Sequence, residues 1–229
     1  MLRTVLADFW AWLAAPRLIA PSPLRDGWPR WAIMVGTYLA GLIVIGTLLT
    51  AWQRALHLPG PEAFHGFAAP VLAASVVLAA PVGEEVLFRG WLTGRPRALW
   101  LLAMALVVAA LLGAVTVHWH DQLASLGVIA TVLAALVGWF VLRRRIEPPH
   151  WFARRFGVWF YMSVAVFGLL HLSNYPRLSW ALVPMISPQV WAGLVFGYLR
   201  MRHGLWAAIL AHGAGNAAAL ATALLAGLF

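Results

Sequence analysis

Seven apolar runs, near Trp31–Ala51, Gly66–Thr93, Ala98–Val117, Leu123–Leu142, Gly157–Ser173, Trp180–Leu199 and Gly204–Leu228, constrain this chain more than any other feature. About 20 helical residues cross a ~30 Å hydrocarbon core, and each run approaches or exceeds that length. No water is available in the core to satisfy backbone groups, so a spanning segment is a helix or a strand of a closed barrel. Runs this long exclude barrel strands. The expected fold is therefore all-α: a polytopic transmembrane bundle of about seven spanning helices. Composition agrees, since 63% of residues are apolar and 10% charged, a balance that a water-soluble domain could not keep in solution.

Ahead of the first run, Leu2, Val5, Leu6, Phe9, Trp10, Trp12 and Leu13 are interrupted by Arg3, Asp8 and Arg17. Asp8 and the two tryptophans break what would be the apolar region of a cleaved leader, so an interfacial helix fits better. The expected organisation is a cytoplasmic or interfacial segment over 1–30 and a bundle over 31–229.

A net charge of +9 would suggest nucleic acid in a soluble protein, but its placement suggests otherwise. All sixteen basic residues are Arg. With the N-terminus in the cytoplasm, the inner segments hold Arg3, Arg17, Arg25, Arg30, Arg95, Arg97, Arg143, Arg144, Arg145, Arg154, Arg155, Arg200 and Arg202, and the outer ones Arg54 and Arg177. That asymmetry is positive-inside topology, with the C-terminus outside, and leaves no charge for DNA to explain. The absence of cysteine excludes disulfides, thiolate metal sites and cysteine nucleophiles.

Loops between the runs are too short for a separate soluble domain. The longest, Arg143–Phe156, holds five Arg and Pro148-Pro149 and reads as a cytoplasmic connector against anionic lipid or a solvated turn. No internal repeat is visible, which weighs against a transporter of duplicated halves. Gly193 and Gly197 form a small-xxx-small pair suited to close helix packing within the bundle.

Ionisable groups at membrane depth are costly unless paired or hydrated, so they carry most of the functional information. In Pro81-Val-Gly-Glu84-Glu85-Val-Leu-Phe88-Arg89-Gly90, Glu85 and Arg89 are four apart, share a helix face and can pair. Glu84, rotated by about 100°, is left to face a cavity as a base. If the run is loop instead, all three charges sit at the interface. Phe167 with His171 and Asn174, and His212 with Asn216, put further polar groups on helix faces; a lone helical His is otherwise a hydrogen-bonded core residue. His118-Trp119-His120-Asp121 reads as interface chemistry rather than a metal site, and His57, His65, His150 and His203 fall in loops.

Helical rise tests whether these groups can meet. Counted from Arg95, Arg155 and Arg202, the depths of Glu84, His171 and His212 are ~16, ~24 and ~15 Å, all near or beyond the midplane. This holds only if the second run stays helical through Arg89 to about Leu92. Each group then relieves the others' desolvation.

The ordered motifs E-E-x-x-x-R, F-x-x-x-H and H-x-x-x-N resemble those of the CPBP family, which includes type II CAAX-prenyl endopeptidases and bacteriocin-processing and self-immunity relatives. Glu84, Glu85 and Arg89 match the first, Phe167 and His171 the second, and His212 and Asn216 the third. The resemblance covers roughly 69–225, and departs from the common pattern in a two-span hairpin, Ala98–Leu142, between the first two motifs. It implies an intramembrane protease, in a bacterial cytoplasmic membrane, that cuts a membrane-embedded or lipid-anchored peptide or protein. The first Glu and second-motif His would activate water, His212 and Asn216 would steady the oxyanion, and Glu85, Arg89 and Phe167 would be supporting residues. The expectation is no cofactor; the alternative is one zinc ion on Glu84, His171 and His212, although no H-E-x-x-H is present. Two other functions compete: a non-catalytic scaffold or immunity protein of the same fold, and a proton or solute pathway.

Overall fold

The computed structural model describes residues 1–61, 68–118 and 120–225. His65, Trp119 and the ends of two expected runs, 66–67 and 226–228, lie outside them. All regular structure among the described residues is helical, and seven helices are long and apolar enough to cross a membrane: Trp28–Ala55, Pro70–Thr93, Pro96–Thr116, Asp121–Leu142, Phe156–Asn174, Trp180–His203 and Leu205–Leu225. The expected seven-span all-α reading is met, with ends displaced by a few residues. The chain divides into two compact units, Met1–Arg89 with Phe156–Phe229, and Gly90–Arg155.

The first unit begins with α1 (Leu2–Ala14), too short to span, which buries Val5, Phe9, Trp12 and Leu13 along one face. Apolar periodicity puts these four on the same side, and they pack beside α2 (Trp28–Ala55) and the later helix Ser187–His203. Asp8 fixes the docking: it accepts from the Tyr198 hydroxyl at 2.6 Å and pairs with Arg202. The expected interfacial segment is thus clamped to the bundle.

The next span is composite. α3 (Ala69–Ala74) passes through a π-helical turn, Ser75–Ala79, into α4 (Ala80–Arg89). The helix continues through both glutamates and Arg89, the condition on which convergence depended. Pro81 sits just past the π turn and has no N–H to give, so this stretch cannot be regular α-helix.

The second unit opens with a 3-10 turn, Gly90–Thr93, followed by the antiparallel hairpin α5 (Pro96–Thr116) and α6 (Asp121–Leu142). Gly138 makes room for Trp100, whose indole N–H donates to Ala134 O at 3.1 Å. No residue of α5 is buried, as expected where lipid is the solvent. The Arg143–Phe156 connector contains a short helix, α7 (His150–Arg154), whose Phe152 packs edge-on to Trp91.

Returning to the first unit, α8 (Phe156–Leu170) ends in a 3-10 turn, His171–Asn174, and a further 3-10 segment, Trp180–Ile186, leads into α9 (Ser187–His203). A Cβ at Gly193 would stand 3.0 Å from Val164, and one at Gly197 would stand 2.4 Å from Phe160, so this pair lets α8 and α9 touch. Gly204, at φ +93°, turns the chain into α10 (Leu205–Leu225).

Candidate active site

Every motif residue lies in the first unit. α4 carries Glu84, Glu85 and Arg89, the end of α8 carries Phe167 and His171, and α10 carries His212 and Asn216. Arg89 Nη1 donates to Glu85 Oε1 at 2.9 Å, and His212 Nδ1 lies 3.0 Å from the same oxygen. The side chains of Glu85 and Arg89 are 0% and 1% exposed, so this pair has no access to water. The Arg89 guanidinium lies 4.0 Å from the Phe167 ring centroid, a cation–π contact that gives that phenylalanine its supporting role.

Glu84 points the other way, into a cavity of about 510 Å³ that it lines together with Phe167, His171, Asn174, His212 and Asn216. Its Oε2 is buried and takes no hydrogen bond, while His171 Nε2 and His212 Nε2 stand 4.0 and 3.9 Å away. Acid and imidazoles from three helices therefore meet, although counting along the chain put His171 ~8 Å deeper than its partners.

Hydrogen-bond bookkeeping fixes which ring nitrogens face the acid. His171 Nδ1 lies 2.7 Å from Phe167 O, which can only accept, so Nδ1 is the donor. Glu85 Oε1 already accepts from Arg89, so His212 Nδ1 donates to it as well. Each ring then turns its Nε2 toward Glu84, and the carboxylate oxygen and two ring nitrogens converge on one point. A water oxygen with hydrogen bonds of about 2.8 Å bridges atoms this far apart at an angle near about 90°. A tetrahedral zinc, with bonds of about 2.0–2.1 Å, holds ligand atoms about 3.4 Å apart. The present separations are roughly half an ångström wider than that.

Asn216 is engaged by the backbone. In the π turn Ala80 N–H bonds Ser75 O, five residues back. By the same pattern Val76 O would take its proton from residue 81, which is proline. Asn216 Nδ2 supplies that bond at 2.8 Å, leaving its second amide hydrogen for the cavity. α10 reaches this carbonyl row through Gly213, where a Cβ would lie 2.9 Å from Val77 O.

Sequence reading missed several neighbours. Tyr38 of α2 lines the cavity and fits against Gly215, where a Cβ would come within 2.3 Å of the Tyr38 ring. Phe196 of α9 stacks on His212, with centroids 5.0 Å apart. Ser163 Oγ donates to Phe88 O at 2.7 Å. Tyr38 is the lone hydroxyl-bearing ring in the first apolar run, the one signal that could have flagged it.

The other described histidines stand apart. His118 Nδ1 pairs with Asp121 Oδ2 at 3.1 Å, with side chains 86% and 49% exposed. His57 follows α2, His150 opens α7, and His203 closes α9 with Nδ1 3.4 Å from Ser22 Oγ.

Seven apolar helices, and in the first unit a polar cavity lined by Glu84, His171, His212 and Asn216, define a polytopic integral membrane protein with a buried candidate catalytic centre. The family model described as "Type II CAAX prenyl endopeptidase Rce1-like" matches residues 64–152 and 144–218, well over half of the chain. The chain belongs to this family, and is in class an intramembrane endopeptidase of CAAX-protease type. Comparison with curated proteins and with solved structures gives no match.

Proposed function

We propose that this protein hydrolyses a peptide bond of a membrane-anchored polypeptide, prenylated or otherwise lipid-bearing substrates included, with water activated by Glu84 and no metal ion. The observation that carries this reading is the buried, unbonded Oε2 of Glu84 facing two imidazole nitrogens at 3.9 and 4.0 Å.

Water held between Glu84 and His171 gives a proton to the carboxylate as its oxygen attacks the scissile carbonyl carbon. The second amide hydrogen of Asn216 meets the charge developing on the carbonyl oxygen. Glu85 holds His212 Nδ1, so His212 faces the reacting water through Nε2 while Asn216 supplies the donor to the carbonyl oxygen. As the C–N bond breaks, Glu84 returns its proton to the leaving amine, yielding a carboxyl and an amine. Glu85 and Arg89 orient His212 from behind. In the alternative reading Glu84, His171 and His212 would hold a zinc ion after closing in by roughly half an ångström from 3.9 and 4.0 Å; no step here passes through a metal.

The proposed setting is a bacterial cytoplasmic membrane with the N-terminus inside. Cleavage of lipid-anchored and transmembrane peptides by purified protein tests the chemistry: activity should survive chelation, track no bound metal, and vanish in Glu84→Gln and His171→Ala. Chelator-sensitive activity that returns with zinc overturns the metal-free reading. Proton flux in liposomes without any cleaved product would favour a conduction pathway instead.

A further inference from the structure

Asn216 brings a single donor to the proposed reaction. Its amide has two hydrogens, and Val76 O takes one of them at 2.8 Å, so one is left for the charge that builds on the scissile carbonyl oxygen. His212 is turned to the water, its Nδ1 held by Glu85 at 3.0 Å. An oxygen becoming an alkoxide can accept from more than one donor, and each donor aimed at it lowers the barrier.

A second donor borders the same cavity from α2. Tyr38 is only 4% exposed, yet its hydroxyl has no hydrogen-bond partner among the described residues. Burying an unbonded hydroxyl costs free energy, which a ligand with an acceptor oxygen offsets. The rest of the residue is held firmly. Its carbonyl accepts from Trp191 Nε1 at 3.0 Å, and its ring packs edge-on to Phe196 with centroids 4.7 Å apart. Phe196 also stacks on His212 at 5.0 Å, so tyrosine and imidazole contact one phenylalanine. α10 admits the ring at Gly215, where a Cβ would stand 2.3 Å from Cε1 and 2.9 Å from the hydroxyl oxygen. Gly215 adjoins Asn216 and follows His212 by three residues, less than one helical turn, so the hydroxyl meets α10 at the level where amide and imidazole line the cavity. Tyr38 lies outside the residues that the family model matches, 64–152 and 144–218.

We propose that Tyr38 is a catalytic residue whose hydroxyl donates a hydrogen bond to the scissile carbonyl oxygen, as a second donor beside Asn216. This rests on the proposed proteolysis and adds to it a residue that the three motifs do not contain. The phenol keeps its proton throughout. Its hydrogen bond strengthens as water adds and the C=O bond becomes single, and relaxes when the C–N bond breaks and the carbonyl re-forms. A neutral phenol supplies the positive end of an O–H dipole without placing another charge at membrane depth.

Tyr38→Phe removes the oxygen, keeps the ring against Gly215 and Phe196, and breaks no hydrogen bond within the described residues. Wild type and Tyr38→Phe, purified in detergent, are compared by kcat, KM and thermal melt on the lipid-anchored and transmembrane peptides. The expected result is a kcat lower by about 10²–10³-fold, the usual loss for one such donor, with an unchanged KM and an unchanged melt. A peptide with a thioamide at the scissile bond presents sulfur, a weaker acceptor, in place of the carbonyl oxygen. It should slow the wild type by a larger factor than Tyr38→Phe, which has one hydrogen bond fewer to lose. Equal kcat in the two proteins, or an equal thioamide penalty, overturns the role of the hydroxyl. A loss confined to KM, or one accompanied by a lowered melt, overturns it too, by assigning Tyr38 to ground-state binding or to packing. If the wild type cleaves none of the peptides, the proteolysis reading falls and takes this assignment with it; if the wild type cleaves and Tyr38→Phe does so equally well, only the tyrosine is lost.

Discussion

Replacing Arg89 with methionine strands the Glu85 carboxylate where it has no route to water. Both side chains are all but inaccessible, at 0% and 1%, and the guanidinium is the cation that contacts Glu85 Oε1, at 2.9 Å. Removing one partner of a buried pair costs about 3–5 kcal/mol, because the other is left as an uncompensated charge. At about 2–4 °C per kcal/mol for a chain of this size, Arg89→Met should lower the unfolding midpoint in detergent by about 10 °C. Arg144→Ala, at an exposed position, should change it by a degree or so, as surface substitutions cost within about 0.5 kcal/mol. Adding Glu85→Gln to Arg89→Met should recover most of the loss. The amide oxygen still accepts from His212 Nδ1–H, and replacing both members of a buried pair by neutral groups of similar volume is often near neutral. Circular dichroism melts of the two single variants, the double variant and the control give the coupling directly. A loss in Arg89→Met no larger than in Arg144→Ala, or a double variant less stable than Arg89→Met, would refute the idea that charge burial, rather than packing on Phe167, sets the cost.

Three further outcomes follow. Glu84→Gln should reduce cleavage by about 10²–10⁴-fold, the usual contribution of a general base, while leaving the melt unchanged; a catalytic loss accompanied by unfolding would assign Glu84 a structural role. Asn216→Ala should cost about 1–3 kcal/mol by orphaning Val76 O. Pro81→Ala should rescue much of that loss by restoring a backbone N–H at the position the π turn needs, which a melt of the double variant reads. Gly197→Ala, with its Cβ 2.4 Å from Phe160, should cost about 1–3 kcal/mol by forcing α8 and α9 apart.

The sequence alone determined the solvent and the architecture. Runs of apolar residues long enough to cross the bilayer leave the backbone only one way to satisfy its hydrogen bonds, so the spans Trp28–Ala55 through Leu205–Leu225 were legible to within a few residues. The i,i+4 spacing of Glu85 and Arg89 was equally legible, because both residues ride on one helix and local geometry fixes their distance. Contacts between helices were not. Counting residues from arginines gives depth only if every helix starts at the same level, and it left His171 out of step with its partners. Packing of α4, α8 and α10 closed that gap to 4.0 Å. The π turn, the orphan Val76 carbonyl taken by Asn216, and the placement of Tyr38 and Phe196 arise where side chains from distant segments fill one another's gaps. Periodicity records which face of a helix is apolar, whereas only the assembled bundle decides what that face meets.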